Sequence, residues 1–142
     1  MSDGWILLCE DNPDDEELAL LALEEAGVAN EVRIARDGVE ALEAFAGGDL
    51  PIVVLLDLKM PRLDGFQVLE RLRADPRTRL LPVVILTSSD LDEDVVRGYE
   101  LGVNSYVRKP VEFSEFAAAV RNLGLYWSLL NLRPRPEREA DS

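Results

Sequence analysis

The chain has 142 residues, 47% of them hydrophobic, and its 28 acidic side chains outnumber 15 Lys and Arg for a net charge of −13. This length predicts one domain with a sizeable core, and the hydrophobic content argues against wholesale disorder. The acidic excess argues against nucleic acid and anionic membrane as partners, because phosphate groups must be met by cations. The chain contains no His, so it lacks the commonest general base and cannot carry a phosphohistidine of its own.

The start of the chain gives no sign of export. MSDGWILLCEDNPDD lacks the basic stretch of a signal peptide, and no apolar run approaches the length of a membrane span. We therefore expect a cytoplasmic protein. A single cysteine, Cys9, excludes an internal disulfide, and its position in an apolar run predicts an inert core thiol.

Short apolar strands alternate with helices along the chain. Strands are predicted at 4–10, 31–35, 51–57, 82–89 and 104–110, and helices at 11–27, 37–48, 64–75, 90–102 and 112–132. The third and fourth strands are almost wholly apolar, as expected when helices cover both faces of a parallel sheet. The pattern predicts an α/β fold with an open parallel sheet between helices.

Local signals mark several helix ends and one loop. Asn12, Asp37 and Asp64 are predicted N-caps, Pro13 suits a first helical position, and Gly27 suits a helix end. A second group, Pro61 and Gly65, is expected to shape the loop that follows the third strand.

Chemistry-bearing residues stand where the predicted strands end. They are three acids, two hydroxyls and one ammonium, in the order Glu10-Asp11, Asp57, Thr87-Ser88 and Lys109-Pro110. Ligands of such sheets bind at the carboxyl ends of the strands, so these residues are expected to share one pocket. Three carboxylates repel one another, and a hard divalent cation such as Mg²⁺ would compensate them. The alternative is that Glu10 and Asp11 only cap or solvate the following loop.

Such a pocket suits phosphoryl transfer. A carboxylate beside Mg²⁺ and a lysine can act as a nucleophile toward phosphorus. The metal and Lys109 would neutralise charge on the phosphoryl oxygens, and Thr87 could donate a hydrogen bond to one of them. The sequence therefore makes Asp57 a candidate nucleophile, and the alternative is a surface acid that follows a strand.

With the stretches DLKMPRLDG (57–65) and SYVRKP (105–110), this residue set resembles the receiver domain of bacterial two-component response regulators across residues 5–124. The resemblance implies a flavodoxin-like sheet of order 2-1-3-4-5 with helices on both faces and an extended C-terminal helix. It implies that Asp57 accepts a phosphoryl group from a phosphohistidine of a partner histidine kinase. Asp11 would bind Mg²⁺ directly, Glu10 through water, and Lys59 through its backbone carbonyl.

The same resemblance implies a conformational switch. Thr87 would shift toward the phosphoryl group, and Tyr106 would turn inward and reshape the surface formed by the fourth helix, fifth strand and fifth helix. The Lys109-Pro110 bond would be cis and aim the ammonium into the pocket. Ser88, together with Lys59, occupies a position that tunes dephosphorylation.

The C-terminal residues extend beyond a minimal receiver domain of residues 1–124. Residues 125–142, LYWSLLNLRPRPEREADS, are expected to form a dimerisation element followed by a mobile tail. The predicted homodimer interface contains Tyr126, Trp127, Leu129 and Leu130; the alternative is that these residues pack on their own domain. This extension, with ILTSS and EDNPDD, is similar to stand-alone regulators paired with bacterial phytochrome histidine kinases.

Other functions stay open at this point. The chain could be a phosphate sink or relay intermediate, or a receiver-like scaffold that is never phosphorylated. A phosphatase or dehalogenase with an Asp nucleophile would need an acid two residues after Asp57, where Lys59 stands. A flavin or nucleotide module would need phosphate-binding amides in a loop that instead reads EDNPDD. We therefore expect a signalling protein rather than an enzyme acting on a separate substrate.

Overall fold

The fold is built on a parallel sheet of five strands, seen in a computed structural model that describes residues 4–25, 27–87, 97, 99–103, 105–109, 114, 115 and 118. The strands are β1 Trp5–Cys9, β2 Glu31–Ala35, β3 Val53–Asp57, β4 Val83–Thr87 and β5 Ser105–Arg108, in the order β2-β1-β3-β4-β5. Three helices have defined bounds: α1 Pro13–Glu25, α2 Gly38–Ala44 and α3 Gly65–Ala74. The predicted α/β fold and strand order are confirmed.

Two strands that were predicted to begin at a proline begin after it. β3 begins at Val53 rather than at Pro51, and β4 begins at Val83 rather than at Pro82. Proline has no backbone N–H to donate to a sheet ladder, so it precedes a central strand rather than joining it. The predicted helices at 90–102 and 112–132 lie for the most part outside the described residues.

The sheet is apolar on both faces. Successive side chains along each strand point to opposite faces, so the sheet has a hydrophobic core on each side. All residues of β1, β3 and β4 are buried. One face packs with α2 and α3 through side chains that include Leu7, Leu56, Ile85 and Leu69. The opposite face packs with α1 through Ile6, Leu8, Leu55, Leu86 and Leu23. Burial contributes roughly 25 cal/mol for each Å² of apolar surface, so these cores hold the strand ends in place.

The strand register sets the acidic residues level with one another. Cys9 of β1 lies opposite Leu56 of β3, so the next residue, Glu10, comes level with Asp57. Asp57 lies opposite Leu86 of β4. Because the strands are parallel, their carboxyl ends meet along a single edge of the sheet.

Side-chain caps fix where the helices begin. The Asn12 side chain accepts hydrogen bonds from the N–H groups of Asp14 at 2.8 Å and Asp15 at 3.2 Å. The Asp37 side chain accepts from the Glu40 N–H, and Asp64 forms a reciprocal capping box with Gln67. All three predicted N-caps are therefore confirmed. Within the described ranges, no helix combines the length and apolar character needed to cross a bilayer.

Gly65 lies where the backbone passes close to the end of β3. Its N–H donates to the Leu58 carbonyl at 2.9 Å. A Cβ placed on Gly65 would overlap the Asp57 carbonyl oxygen and lie 2.8 Å from the Leu58 Cα. Only glycine fits this approach without moving the backbone that carries Asp57.

Replacing Gly65 with alanine is therefore expected to destabilise the fold. We expect Gly65→Ala to lower the free energy of unfolding by about 2 kcal/mol or more, because backbone rather than a flexible side chain must move. Urea unfolding followed by circular dichroism measures the change. Gly48→Ala is the matched control, since its Cβ would meet no atom within 4 Å, and it should change stability by less than about 0.5 kcal/mol. Equal losses in both variants would contradict the steric argument.

Candidate functional site

A polar pocket of about 180 Å³ lies at the carboxyl edge of the sheet. The ends of β1 and β3, the loop after β3, the start of α1 and the residue after β5 form its walls. Its lining consists of Glu10, Asp11, Asn12, Asp15, Asp57, Lys59 and Lys109. Most of the residues predicted to converge at the strand ends therefore do lie together.

Three carboxylates of this pocket lie close enough together to bind a single metal ion. One oxygen each of Glu10, Asp11 and Asp57 lies within 4.8 Å of the others. Glu10 is 1% exposed and Asp57 is 4% exposed, whereas Asp11 is exposed. The sheet therefore buries two acids side by side and places a third at the rim.

A single lysine holds this acidic group together. The Lys109 Nζ lies 2.7 Å from Glu10 Oε1 and 3.3 Å from Asp57 Oδ1. A third carboxylate, that of Asp15, contacts the same nitrogen at 3.1 Å. Lys109 thus faces three carboxylates, and the four acids that line the pocket outnumber its two lysines, so acidic groups are in excess.

The pKa values reflect this crowding. Burial raises the pKa of Glu10 to about 7, against the hydrogen bond from Lys109 that lowers it. Burial also raises the pKa of Asp57, although the Lys109 charge and the Lys59 N–H at 3.3 Å favour its ionised form. Burial alone would lower the pKa of Lys109, but its hydrogen bond to Glu10 and the charge of Asp57 raise it. Burial therefore favours the protonated forms of both acids, and Lys109 favours their ionised forms.

The pocket fits a hard divalent cation. Its available ligands are carboxylate oxygens, which Mg²⁺ and Ca²⁺ prefer, and its uncompensated charge is negative. Glu10, Asp11 and Asp57 are the residues placed to hold such an ion. Lys59 lines the same pocket, and the role of its backbone carbonyl stays a prediction.

Thr87 and Tyr106 belong to β4 and β5 and are not among the residues that line the pocket. Thr87 ends β4 and is 2% exposed, and its carbonyl accepts the Lys109 N–H at 2.8 Å. Half-buried Tyr106 lies opposite Ile85, with its ring centroid 5.7 Å from that of Tyr99. The other residues named from the sequence lie outside the described residues: Ser88, Pro110, Tyr126, Trp127, Leu129 and Leu130.

Asp15 and Asn12 are site residues that sequence reasoning missed. Asn12 was predicted only as a helix cap, and Asp15 only as part of α1. A signal for Asp15 existed, because a helix that begins at Pro13 directly after Glu10-Asp11 keeps its first turn next to the strand end. Its contact with Lys109, 94 residues away in sequence, left no local trace.

The raised pKa of Glu10 makes the metal-free protein sensitive to pH. The folded state favours the protonated form of Glu10, and this adds to the free energy of unfolding at low pH. The contribution is complete below the ordinary carboxyl pKa of 4.5 and is lost as the pH rises through about 7. We expect the free energy of unfolding without metal to fall by on the order of 2 kcal/mol between pH 5 and pH 8, measured by urea titration. Glu10→Gln keeps the shape of the side chain and should flatten this dependence. An unchanged slope in that variant would contradict the assignment to Glu10.

Comparisons with known proteins agree with this architecture. A family model described as the response regulator receiver domain matches residues 6–121. The solved structure of the bacteriophytochrome response regulator AtBRR is 52% identical, with a TM-score of 0.79, over 90% of this chain and 97% of that one. That of the bacteriophytochrome response regulator RtBRR is 46% identical, with a TM-score of 0.82, over 96% of this chain and 86% of that one.

A third similar protein is the response regulator Rcp1 of Synechocystis sp., 33% identical over 86% of this chain and 87% of its own length. A crystal structure of Rcp1 in its Mn²⁺-bound form has a TM-score of 0.73, at 32% identity, over 93% of this chain and 99% of that one. The chain spans about half the length of several other curated relatives. On the family match and these likenesses, the chain belongs to the response regulator receiver domain family.

Proposed function

We propose that this chain works as a single-domain response regulator whose Asp57 accepts a phosphoryl group from a phosphohistidine of a partner histidine kinase. The observation that carries the proposal is the position of Asp57. Its carboxylate is 4% exposed, contacts the Lys109 ammonium at 3.3 Å and shares an acidic cluster with Glu10 and Asp11. This is the arrangement expected of a carboxylate nucleophile with counter-charge beside it.

The reaction transfers one phosphoryl group. An Asp57 carboxylate oxygen forms a bond to phosphorus while the bond from phosphorus to the histidine nitrogen breaks, and that nitrogen keeps the electron pair. Mg²⁺ bound at the acidic cluster would neutralise charge on the phosphoryl oxygens. Lys109 pairs with the transferred group, and the Thr87 hydroxyl donates a hydrogen bond to it. No substrate other than the phosphoryl donor is required.

Phosphorylation would act on the surface near β5. In this proposal Thr87 moves toward the phosphoryl group, and Tyr106 turns into the space that Thr87 leaves. Tyr106 is only half-buried, and its β5 neighbour Val107 pairs with Leu86 next to Thr87. A change at the end of β4 would therefore reach the tyrosine through a single pair of strands.

The donor we propose is a cytoplasmic histidine kinase linked to a bacterial phytochrome. The support is the similarity to the bacteriophytochrome response regulators AtBRR and RtBRR. The net charge of −13 is unfavourable for binding nucleic acid or anionic membrane. We therefore assign the output to a protein partner.

We propose further that residues 125–142, which follow the receiver domain of residues 1–124, contain a homodimer interface. The support comes from the sequence, which places Tyr126, Trp127, Leu129 and Leu130 within five residues. Aromatic and leucine side chains at this density are typical of the buried centre of an interface.

Phosphorylation of Asp57 is tested with acetyl phosphate and Mg²⁺. We expect the intact protein to gain the mass of one phosphoryl group, because the Asp57 carboxylate contacts the Lys109 ammonium and shares the acidic cluster that could hold Mg²⁺. Asp57→Asn should abolish the gain, and chelation of Mg²⁺ should prevent it. Asp49→Asn is the matched control, since the Asp49 side chain is 74% exposed and does not line the pocket. Labelling that persists in Asp57→Asn would contradict the site.

The kinase is tested in the same assay by replacing acetyl phosphate with phosphorylated histidine kinases from the source organism. Phosphotransfer at short times should be fastest from the phytochrome-linked kinase. Faster transfer from an unrelated kinase would overturn that part of the proposal and leave the role of Asp57 intact.

The dimer is tested by truncation. Light scattering should give twice the chain mass for the full-length protein and a single chain mass for a protein that ends at Gly124, because the truncation removes the apolar residues of the interface. The variant Trp127→Asp should also be monomeric. Ser128→Asp is the control for the added charge, because it removes no apolar side chain, and it should stay dimeric. Equal masses for the full-length and truncated proteins would contradict the interface.

A further inference from the structure

A closed ring of polar contacts joins Lys109 to the start of α1. Lys109 Nζ contacts Glu10 Oε1 at 2.7 Å, and the other Glu10 oxygen accepts the Asn12 N–H at 3.2 Å. The Asn12 side chain accepts the Asp15 N–H at 3.2 Å. Asp15 Oδ2 closes the ring with Lys109 Nζ at 3.1 Å. The helix cap therefore fixes the backbone of the residue that contacts the lysine.

The carboxylate partners of Lys109 are not equivalent. Glu10 and Asp57 belong to the cluster that can hold a metal ion, and Asp15 does not. The Asp15 side chain is 28% exposed, whereas those of Glu10 and Asp57 are 1% and 6% exposed. Asp15 therefore attracts the ammonium toward the opening of the pocket, and the other two attract it toward the floor.

We propose that Asp15 is a positioning residue that draws the largely buried Lys109 ammonium toward the opening of the pocket, from which an incoming phosphoryl group would approach. The inference rests on the proposed role of Asp57. Lys109 Nζ already lies at full hydrogen-bond distance from Glu10, and without Asp15 it would move closer to Asp57, now 3.3 Å away, and would occupy the nucleophile. Because Asp15 lies outside the metal-binding cluster, it can keep its contact with Lys109 while Glu10 and Asp57 engage ligands.

Removing Asp15 would change the phosphorylation rate in one direction if Asp15 positions Lys109, and in the other if it acts only as a negative charge. As a charge, Asp15 repels an anionic phosphoryl donor, so its removal would speed phosphorylation. As a positioning group it prepares Lys109, so its removal would slow phosphorylation. The two roles predict opposite changes in a single rate constant.

The test measures the rate of Asp57 phosphorylation by acetyl phosphate at saturating Mg²⁺, in which the bond from Asp57 to phosphorus forms as acetate leaves. We expect Asp15→Asn to lower the rate about fivefold, the scale of a partly exposed ion pair. Asp15→Ser, which suits the first turn of a helix, should do the same, and Asp15→Glu should restore the rate to within about twofold of wild type. Asp14→Asn is the matched control, because it removes the same charge from an exposed neighbour and should leave the rate unchanged.

A double-mutant cycle tests whether Asp15 acts through Lys109. The Mg²⁺ dissociation constant of the unphosphorylated protein, measured by calorimetry, is a readout that needs no phosphoryl transfer. Asp15→Asn should weaken Mg²⁺ binding while Lys109 is present, because the freed lysine competes for Glu10 and Asp57. In a Lys109→Ala background it should have no further effect.

Three results would overturn the inference: an Asp15→Asn rate equal to or faster than wild type, an equal loss in Asp14→Asn, or a weakened Mg²⁺ affinity that persists without Lys109. Each of these leaves the role of Asp57 intact. Failure of the proposed function itself has a different signature, which is a wild-type protein that acetyl phosphate does not label at Asp57.

Discussion

The structure depends on the pairing of one largely buried ammonium with two buried carboxylates. The Lys109 Nζ contacts Glu10 and Asp57 at 2.7 and 3.3 Å, and its charge favours the ionised form of both acids against the burial that raises their pKa values. The lysine cannot neutralise Glu10, Asp57, Asp11 and Asp15 together. The pocket is therefore stable enough to form and still electrostatically incomplete, which is the condition that favours binding of a cation.

Burial of the apolar sheet stabilises the fold and offsets the free-energy cost of burying charged groups at its edge. β1, β3 and β4 are buried along their whole length, and their register brings Glu10 level with Asp57. Two cores hold these strand ends in place, so burial raises the pKa values of Glu10 and Asp57, and the charge of Asp57 raises that of Glu10 further. A site built at the end of rigid strands keeps its geometry better than one built on loops.

The sequence predicts most of the fold and the location of the site, because both follow from local patterns. β2 at Glu31–Ala35 and the caps Asn12, Asp37 and Asp64 were predicted residue by residue, since hydrophobic runs and capping side chains act within a few positions. The contact between Asp15 and Lys109 was not predicted. It joins residues 94 positions apart and depends on the direction of one lysine side chain, which no periodicity encodes.

Lys109 also links the pocket to the adjacent strands β4 and β5. Its side chain contacts the acids, and its backbone N–H donates to the Thr87 carbonyl at 2.8 Å, next to the hydroxyl proposed to meet the phosphoryl group. Tyr106 lies three residues before it on β5, opposite Ile85. Thr87 ends β4, and Lys109 directly follows β5. In the proposed function, attraction of the ammonium and the hydroxyl to a phosphoryl group would therefore act on both of these strands. In the proposed function, coupling between Asp57 and the surface near β5 would run through the β4–β5 pair, a physically continuous path.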